Sequence, residues 1–477
     1  MASKRDQLQA YQFLVRRATS ALVTRETDPE QPPFRRTGSA SFAGIALGIV
    51  SLAAVGVYGM IVPGGNTAWR KESAVIVEKE TGTRYVYLGD RLHPVANYTS
   101  ALLLLGDHRA TEQVSRESLA GVPRGPRIGI PDAPDALPAA DRLLTGSWSL
   151  CSAPASDVAG SRIEESVLLA GADPAGGAGL GDQALLVELV TNGDRYLVWR
   201  GHRHRIEDYG AVGTGLALTA EPWARVGRPW LDVLPEGAPI GPLAVAQPGE
   251  PSTAVPGRAD IRAGMLLVVQ PSGGGRQYYL AERDALRPIS ALQYDIQRAA
   301  AQTSAAYPGG EPMAVSLPPS LATTSRRLDP ADAVAGAAPA TRPSIARLRD
   351  RESTVCATFA PGGTAPRLTV DPALPPADPM AATSRRSADG TPLADRVFVP
   401  PGSAAVVEAM PSAQAPSGTL TLVTDLGRRY PLAAPDVLKM LGYPADRAVR
   451  LPAGLVARLP EGPGLDPNAA KNQTLGG

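Results

Sequence analysis

"EKETGTRYVYLG", residues Glu78 to Gly89, reads as two short strands joined at a Thr81-Gly82 turn, with Arg84 and Tyr85 just beyond. A tight turn between antiparallel strands needs a residue that tolerates positive φ, and glycine does so without steric penalty. The Gly-x-x-Tyr pattern returns, as Gly82–Tyr85, Gly193–Tyr196, Gly275–Tyr278 and Gly427–Tyr430. Each copy follows an apolar strand ("VIVEKET", "LLVELVTN", "LLVVQPSG", "TLTLVTD") and enters a second ("RYVYL", "RYLVW", "QYYLA", "RYPLA"). A third strand follows in the first three copies ("RLHPV", "RHRI", "LRPI"), then a short helical stretch and a Pro-rich strand in all four. The tyrosine is expected to lay its ring across the paired strands and keep its hydroxyl in water. Four copies of a β-plus-helix module of roughly fifty residues favour a structural role for the motif over a ligand site. Exposed arginines and tyrosines repeated in this way leave a polymer such as cell-wall glycan as the alternative ligand.

The tyrosines are unevenly spaced, and the surplus residues fall at about 141–185 and 330–417, the stretches that carry Cys151 and Cys356. A plain solenoid would be regular. The expected body is therefore a central β-domain assembled from both stretches, with the modules hung around it. This reading divides the chain into a helix and linker (1–41), a span (42–62), a linker with the first module (63–140) and the first central part (141–185). The second (186–245) and third (246–329) modules, the second central part (330–417), the fourth module (418–465) and a tail (466–477) follow. The fold class is that of a single-pass membrane protein, α+β, with a β-rich outer region.

Composition agrees. The chain has 477 residues, long enough for several domains, and 49 glycines with 47 prolines favour short strands and turns over long helices. Cationic and anionic side chains nearly cancel, at 47 against 46, which gives no support to a nucleic-acid partner. The two cysteines form no CxxC pair, so a zinc or thioredoxin-like site is not indicated. Both sit in strand-like settings, "SWSLCSA" and "STVCATF", as two buried thiols or, in an oxidising compartment, as one disulfide.

From Thr37 to Trp69 no residue is charged, and Phe42 to Val62 is apolar or small throughout. Twenty-one residues at ~1.5 Å each make roughly 32 Å, enough to cross a bilayer's hydrocarbon. Pro63-Gly64-Gly65 should end the helix. The run is longer and starts later than the apolar core of a signal peptide, so an uncleaved anchor is expected. Lys4, Arg5, Arg16, Arg17, Arg25, Arg35 and Arg36 precede it, which places the N-terminus in the cytoplasm and the rest outside, where a Cys151–Cys356 disulfide can form. In the N-terminal segment Leu8, Tyr11, Val15, Ala18 and Leu22 recur at steps of three and four, an amphipathic stripe that either docks on a partner or rests on anionic lipid. Gly44, Gly48, Ala53 and Gly56 would let another helix approach the span closely.

No chemistry announces itself. None of the five lysines follows a glycine as a phosphate-cradling loop requires. "GGAGLGD", Gly176–Asp182, has near-dinucleotide glycine spacing but precedes a strand, not a helix, and reads as a loop. "PSGGGR", Pro271–Arg276, lies between two strands and reads as a hairpin loop rather than an anion nest. His202 and His204 share one face of a strand with no third ligand nearby, and no catalytic residue, metal ligand or cofactor-binding residue can be assigned.

The segments "RDQLQAYQFLVRRATSALV" (Arg5–Val23), the span, Pro63–Gly106 and "SLAGVPRGPRIGIPDAPDALP" (Ser118–Pro138) together resemble EccB, the B component of the actinobacterial type VII (ESX) secretion membrane complex. The resemblance covers essentially the whole chain. It implies a cytoplasmic helix, one span of the inner membrane and a periplasmic domain of four repeats around a central domain, crossed by one disulfide. It also implies assembly with the EccC motor ATPase, EccD, EccE and the mycosin protease, and self-association in the periplasm. The expected function is that of an assembly subunit linking the cytoplasmic motor to a periplasmic assembly. Two alternatives stand beside it. The family often carries an ATPase label, which would make ATP a ligand, and its repeats resemble a phage lysin's cell-wall-binding subunit.

Overall fold

Ser3 opens the first helix, α1 (Lys4–Thr24): its hydroxyl accepts from the Asp6 backbone N–H while the Asp6 carboxylate accepts from its own, a reciprocal cap. In α2 (Arg35–Ile61) residues 37–61 of the uncharged run lie in one continuous helix, and 38–58 is long and apolar enough to cross a membrane. No other helix among the described residues meets that test. The computed structural model describes residues 3–25, 35–61, 68–70, 74–157, 159–329 and 336–474. Val62 and the expected stop at Pro63–Gly65 lie outside them.

The remainder is built from short strands. β1 (Val75–Glu78), β2 (Arg84–Leu88) and β3 (Arg91–Pro94) form two successive hairpins. The chain then crosses through α3 (Tyr98–Leu105) to β4 (Thr111–Val114), which lies parallel to β1. The order β3-β2-β1-β4 follows. A helical crossover is what a parallel neighbour requires, and Asn97 starts this one by capping the Ser100 N–H. Next come β5 (Trp148–Ser156), β6 (Arg162–Leu169) and the two-residue β7 (Ala178–Gly179), set inside the glycine-rich stretch expected as a loop.

A second sheet has the order β10-β9-β8-β11, from β8 (Leu185–Leu189), β9 (Arg195–Trp199), β10 (His202–Arg205), α4 (Tyr209–Gly215) and β11 (Ala224–Val226), followed by α5 (Arg228–Asp232). The third is β14-β13-β12-β15, from β12 (Leu266–Val269), β13 (Gln277–Ala281), β14 (Leu286–Ile289), α6 (Ala291–Ala299) and β15 (Val315–Ser316), with α7 (Pro319–Thr324) after it. β16 (Val355–Phe359), β17 (Arg367–Val370) and β18 (Arg396–Phe398) precede the last sheet. That sheet is β21-β20-β19-β22, from β19 (Ala404–Met410), β20 (Thr419–Thr424), β21 (Arg429–Pro431), α8 (Val437–Met440) and β22 (Val449–Pro452), ending in α9 (Ala453–Val456).

The two distant stretches meet in one six-stranded sheet, β18-β6-β5-β16-β17-β7. At its middle β5 pairs with β16, and Cys151 stands directly opposite Cys356 in a disulfide whose cysteines are both fully buried. Alternation along the strands turns Trp148, Leu150, Val355, Ala357 and Phe359 to one face, where they share a core with the second and fourth four-stranded sheets. A second core joins the first and fourth sheets, with α3 against α8, and a third joins the second and third through α4 and α6. The tail closes the first of these contacts: Gln473 pairs with Ile128, Thr474 N–H donates to Arg127 O at 3.0 Å and Gly129 N–H to Asn472 O at 3.2 Å.

Two details of the expected hairpins need correction. Gly82 and Gly193 occupy the first hairpin turn with φ of 71° and 75°, each donating to the carbonyl four residues back. In the third sheet the left-handed residue is Gly273, φ 80°, and not Gly275. In the fourth, Gly427, φ 69°, turns β20 into β21, the second hairpin, so Tyr430 sits on the third strand and not the second. The true first strand there is β19, within the stretch expected to be central. A second turn can also take a glycine at positive φ, as at Gly89 and Gly427, and the motif therefore matched the wrong turn in the fourth sheet.

The Cys151–Cys356 bond closes a sequence separation of 205 residues, and loop-closure entropy makes it worth about 5 kcal/mol. Urea unfolding of the oxidised and reduced protein should therefore show a clearly lower midpoint after reduction; coincident curves would contradict the pairing.

Candidate functional site

Tyr85, Tyr196 and Tyr278 hold the same place in their sheets, each on the second strand opposite the first. They do not make a common exposed set. Tyr85 is buried and donates its hydroxyl to Glu78 Oε2 at 3.1 Å, with the Arg124 guanidinium over its ring. Tyr278 stacks on Tyr294 at 4.5 Å between ring centroids, and Tyr430 is buried. The hydroxyl expected in water is, in the first copy, part of an internal network. Arg116 Nε donates to Glu78 Oε1 at 2.7 Å, and this bond, with that from Tyr85, holds the Glu78 carboxyl below its ordinary range against the effect of burial.

A feature not read from the sequence lies on the third strands. Beyond the parallel strand the chain returns along the outer edge of each sheet, bridging Leu92 to Arg124, Arg203 to Glu236, Leu286 to Arg327 and Arg429 to Glu461. The next residue on each third strand is His93, His204, Arg287 and Tyr430. The three rings lie directly over glycines, Gly125, Gly237 and Gly462, where an added Cβ would strike the ring. In the third sheet Leu328 replaces the glycine and Arg287 the ring. His204 is thereby a packing group: fully buried, its Nδ1 2.8 Å from Ala238 O, and pushed down by desolvation. His202, on the same strand face, is only part-exposed, with Nδ1 3.1 Å from Arg200 O. Among the described residues no three His, Cys, Asp or Glu side chains gather as a metal site would need.

Three clefts exceed 500 Å³: one of about 670 Å³ is lined by Arg386, Asp389, Arg428 and Glu461, and two more lie against the central and four-stranded sheets. Of these two, one, about 560 Å³, opens between the second and fourth sheets and the loop after β16; its charges are engaged, Asp232 with Arg203 at 3.0 Å and Arg450 with Glu408 at 2.8 Å. The other, about 550 Å³, runs beside β18 at the edge of the central sheet. Neither is lined by a lysine.

On α1 the expected stripe is open to solvent: Leu8, Tyr11, Val15 and Leu22 are all exposed large apolar side chains, and Ala18 is exposed with them. Nothing lies within van der Waals reach of a Cβ added at Gly44, Gly48 or Gly56 of α2. Phe13, Leu14 and Val23 are exposed on α1 as well.

Comparison with known proteins places these features in a family. A family model described as "Type VII secretion system ESX-1, transport TM domain B" matches residues 1–475. A protein of Mycobacterium tuberculosis H37Rv named ESX-2 secretion system ATPase EccB2 is 29% identical, over 98% of this chain and 94% of that protein. Among solved structures, a chain of an intact ESX-5 inner membrane complex superposes with a TM-score of 0.65 at 26% identity, covering 100% of this chain and 97% of that one. A chain of the periplasmic assembly from the ESX-5 inner membrane complex gives 0.62 at 26%, covering 88% and 98%.

The ring-over-glycine contacts predict that Gly125→Ala, Gly237→Ala and Gly462→Ala each cost roughly 1–3 kcal/mol through overpacking. Gly454→Ala, in a helix with open space around it, should be neutral or stabilising. Equal melting temperatures across the four variants would contradict the contacts. Glu164, half-buried on β6, is pushed up to about 7 by burial against the pull of Arg225. Its folded-state value exceeds the ordinary 4.5, so its contribution is present at low pH and lost as pH rises through about 7. The melting temperature of Glu164→Gln relative to the unchanged protein should therefore climb from about pH 5 to about pH 8; a constant difference would contradict it.

Proposed function

The chain belongs to the EccB family of type VII (ESX) secretion components, and from that membership we propose that it is an assembly subunit of the membrane complex, tying a cytoplasmic motor platform to a periplasmic assembly. The observation that carries this is the family match over residues 1–475, which takes in the helix, the span and the β-rich body together. The arginines ahead of the span support an N-terminus in the cytoplasm and a body in the periplasm. The exposed stripe of α1 then faces the motor side and docks there, with EccC, EccD and EccE as the partners the family supplies. The body faces the mycosin protease and further copies of itself.

We also read the four four-stranded sheets as copies of one module. All four share one strand order, two hairpins and a parallel return. They fall into two halves, each of module, hairpin, module. β5–β6 matches β16–β17: the cysteines are 205 residues apart, and the first residues of β6 and β17, Arg162 and Arg367, are separated by the same interval. A frame of this kind holds neighbours at fixed distances. The relatives' names include ATPase, and that reading keeps its own test: turnover by the purified full chain that survives removal of contaminating ATPases and disappears with one substitution.

Changing Tyr11 and Val15 to Asp together should release the protein from its membrane complex while the body keeps its melting temperature. Co-purification of the double variant with partners at the level of the unchanged protein would count against docking through α1.

A further inference from the structure

Beyond α1 and α2, the described residues expose only four large hydrophobic side chains: Val190, Met313, Met380 and Leu426. Scattered singly, such residues need no explanation. Two of these, however, come from separate segments to the rim of one cleft, the 550 Å³ groove beside β18, where Met380 is 89% and Leu426 75% exposed.

Leu169 and Phe398, partners in the β6–β18 ladder, line the groove on the disulfide-bearing side of the central sheet. Pro174, Pro375, Pro400 and Pro401 also line it. Proline's fixed φ keeps such walls in place, so an incoming chain would spend little on ordering them. The lining is strongly one-sided in charge. Asp173, Asp378 and Asp425 stand in it and no Arg, Lys or His does; Asp173 is engaged by Arg367 at 2.5 Å, which leaves Asp378 and Asp425 without a cationic partner in the lining. Asp378 accepts from Met380 N–H at 2.9 Å and Asp425 from Gly402 N–H at 2.8 Å, which fixes both carboxylates beside the two exposed apolar side chains. The groove's volume falls within the ~300–1,000 Å³ usual for ligand pockets.

We propose that this groove is a docking site for an extended apolar peptide segment of another protein, carrying a basic residue at one end that meets Asp378 or Asp425. Met380 and Leu426 close over the apolar side chains, and the carboxylates set the direction. This deepens the assembly reading by giving one partner a chemistry; it rests on that reading for the partner's existence, not for the groove.

The test uses the full chain in detergent and two fluorescent peptides, Leu-Pro-Val-Leu-Arg-Lys and Leu-Pro-Val-Leu-Glu-Glu, followed by polarisation. The basic peptide should bind and the acidic one should bind about tenfold more weakly or not at all. Met380→Gln with Leu426→Gln, both at exposed positions, should weaken the basic peptide about tenfold without changing the melting temperature. Asp378→Asn with Asp425→Asn, which keep the backbone hydrogen bonds, should abolish the preference between the two peptides. Equal binding of both peptides to the unchanged chain, binding insensitive to the Met380 and Leu426 changes, or no binding would overturn the proposal. Loss of self-association in those variants, with neither peptide bound, would assign the groove to a second copy and overturn it as well. Loss of the complex in the Tyr11 and Val15 variant, by contrast, bears on α1 alone.

Discussion

The pairing of β5 with β16 is the constraint on which the body depends. Neither strand can satisfy its backbone in a buried position without the other, because every N–H and C=O removed from water needs a partner. The two are far apart in sequence, so the second and third sheets are enclosed in the loop that their pairing closes. The disulfide fixes that register covalently at one rung. Two rungs away Ser149 Oγ and Thr358 Oγ1 share a hydrogen bond of 2.9 Å on the same face. Once that rung is set, the opposite face presents Trp148, Leu150, Ala357 and Phe359, and the second and fourth sheets have a common surface to bury against.

The remaining contacts follow from it. The first and third sheets each reach the frame through a neighbour, by helix against helix, and each keeps a small core of its own. Several charged groups inside the frame are paired: Arg396 with Glu165 at 2.8 Å, Arg195 with Glu188 at 3.2 Å, Glu78 with Arg116; buried Arg458 donates instead to the Gly454 and Pro392 carbonyls. Such pairs contribute little net stability but oppose misregistered packing, where they would stand unpaired. A body assembled in this way is suited to holding positions. Its open chemistry lies at its margins, on the exposed face of α1 and in the acidic-rimmed groove at the edge of the central sheet.

Much of this was legible from residues alone, and the limits have physical causes. The span and the stripe are local patterns: an uncharged run, and apolar residues at helical steps. Gly82 and Gly193 were readable because a first hairpin turn of that length demands positive φ. Gly427 is a turn glycine of the same kind in the second hairpin, while β19 ends in the loop from Pro411 to Gly418, which has no residue at positive φ and no such motif. The central sheet was legible from the surplus residues and the two cysteine strands. The rings over Gly125, Gly237 and Gly462 and the groove beside β18 were not, because each joins segments that only folding brings together. His204 had read as half of a histidine pair, and its buried place against Gly237 explains it without a ligand.

We propose this chain as a joint between the two sides of a membrane assembly. The most direct test is to purify the tagged full-length chain in mild detergent from its own cell envelope, then size it and identify what travels with it. The account requires one large particle containing several copies of this chain with other membrane components of the secretion system, in fixed proportion. A chain that elutes alone in its micelle, with no companion at constant ratio, would contradict it.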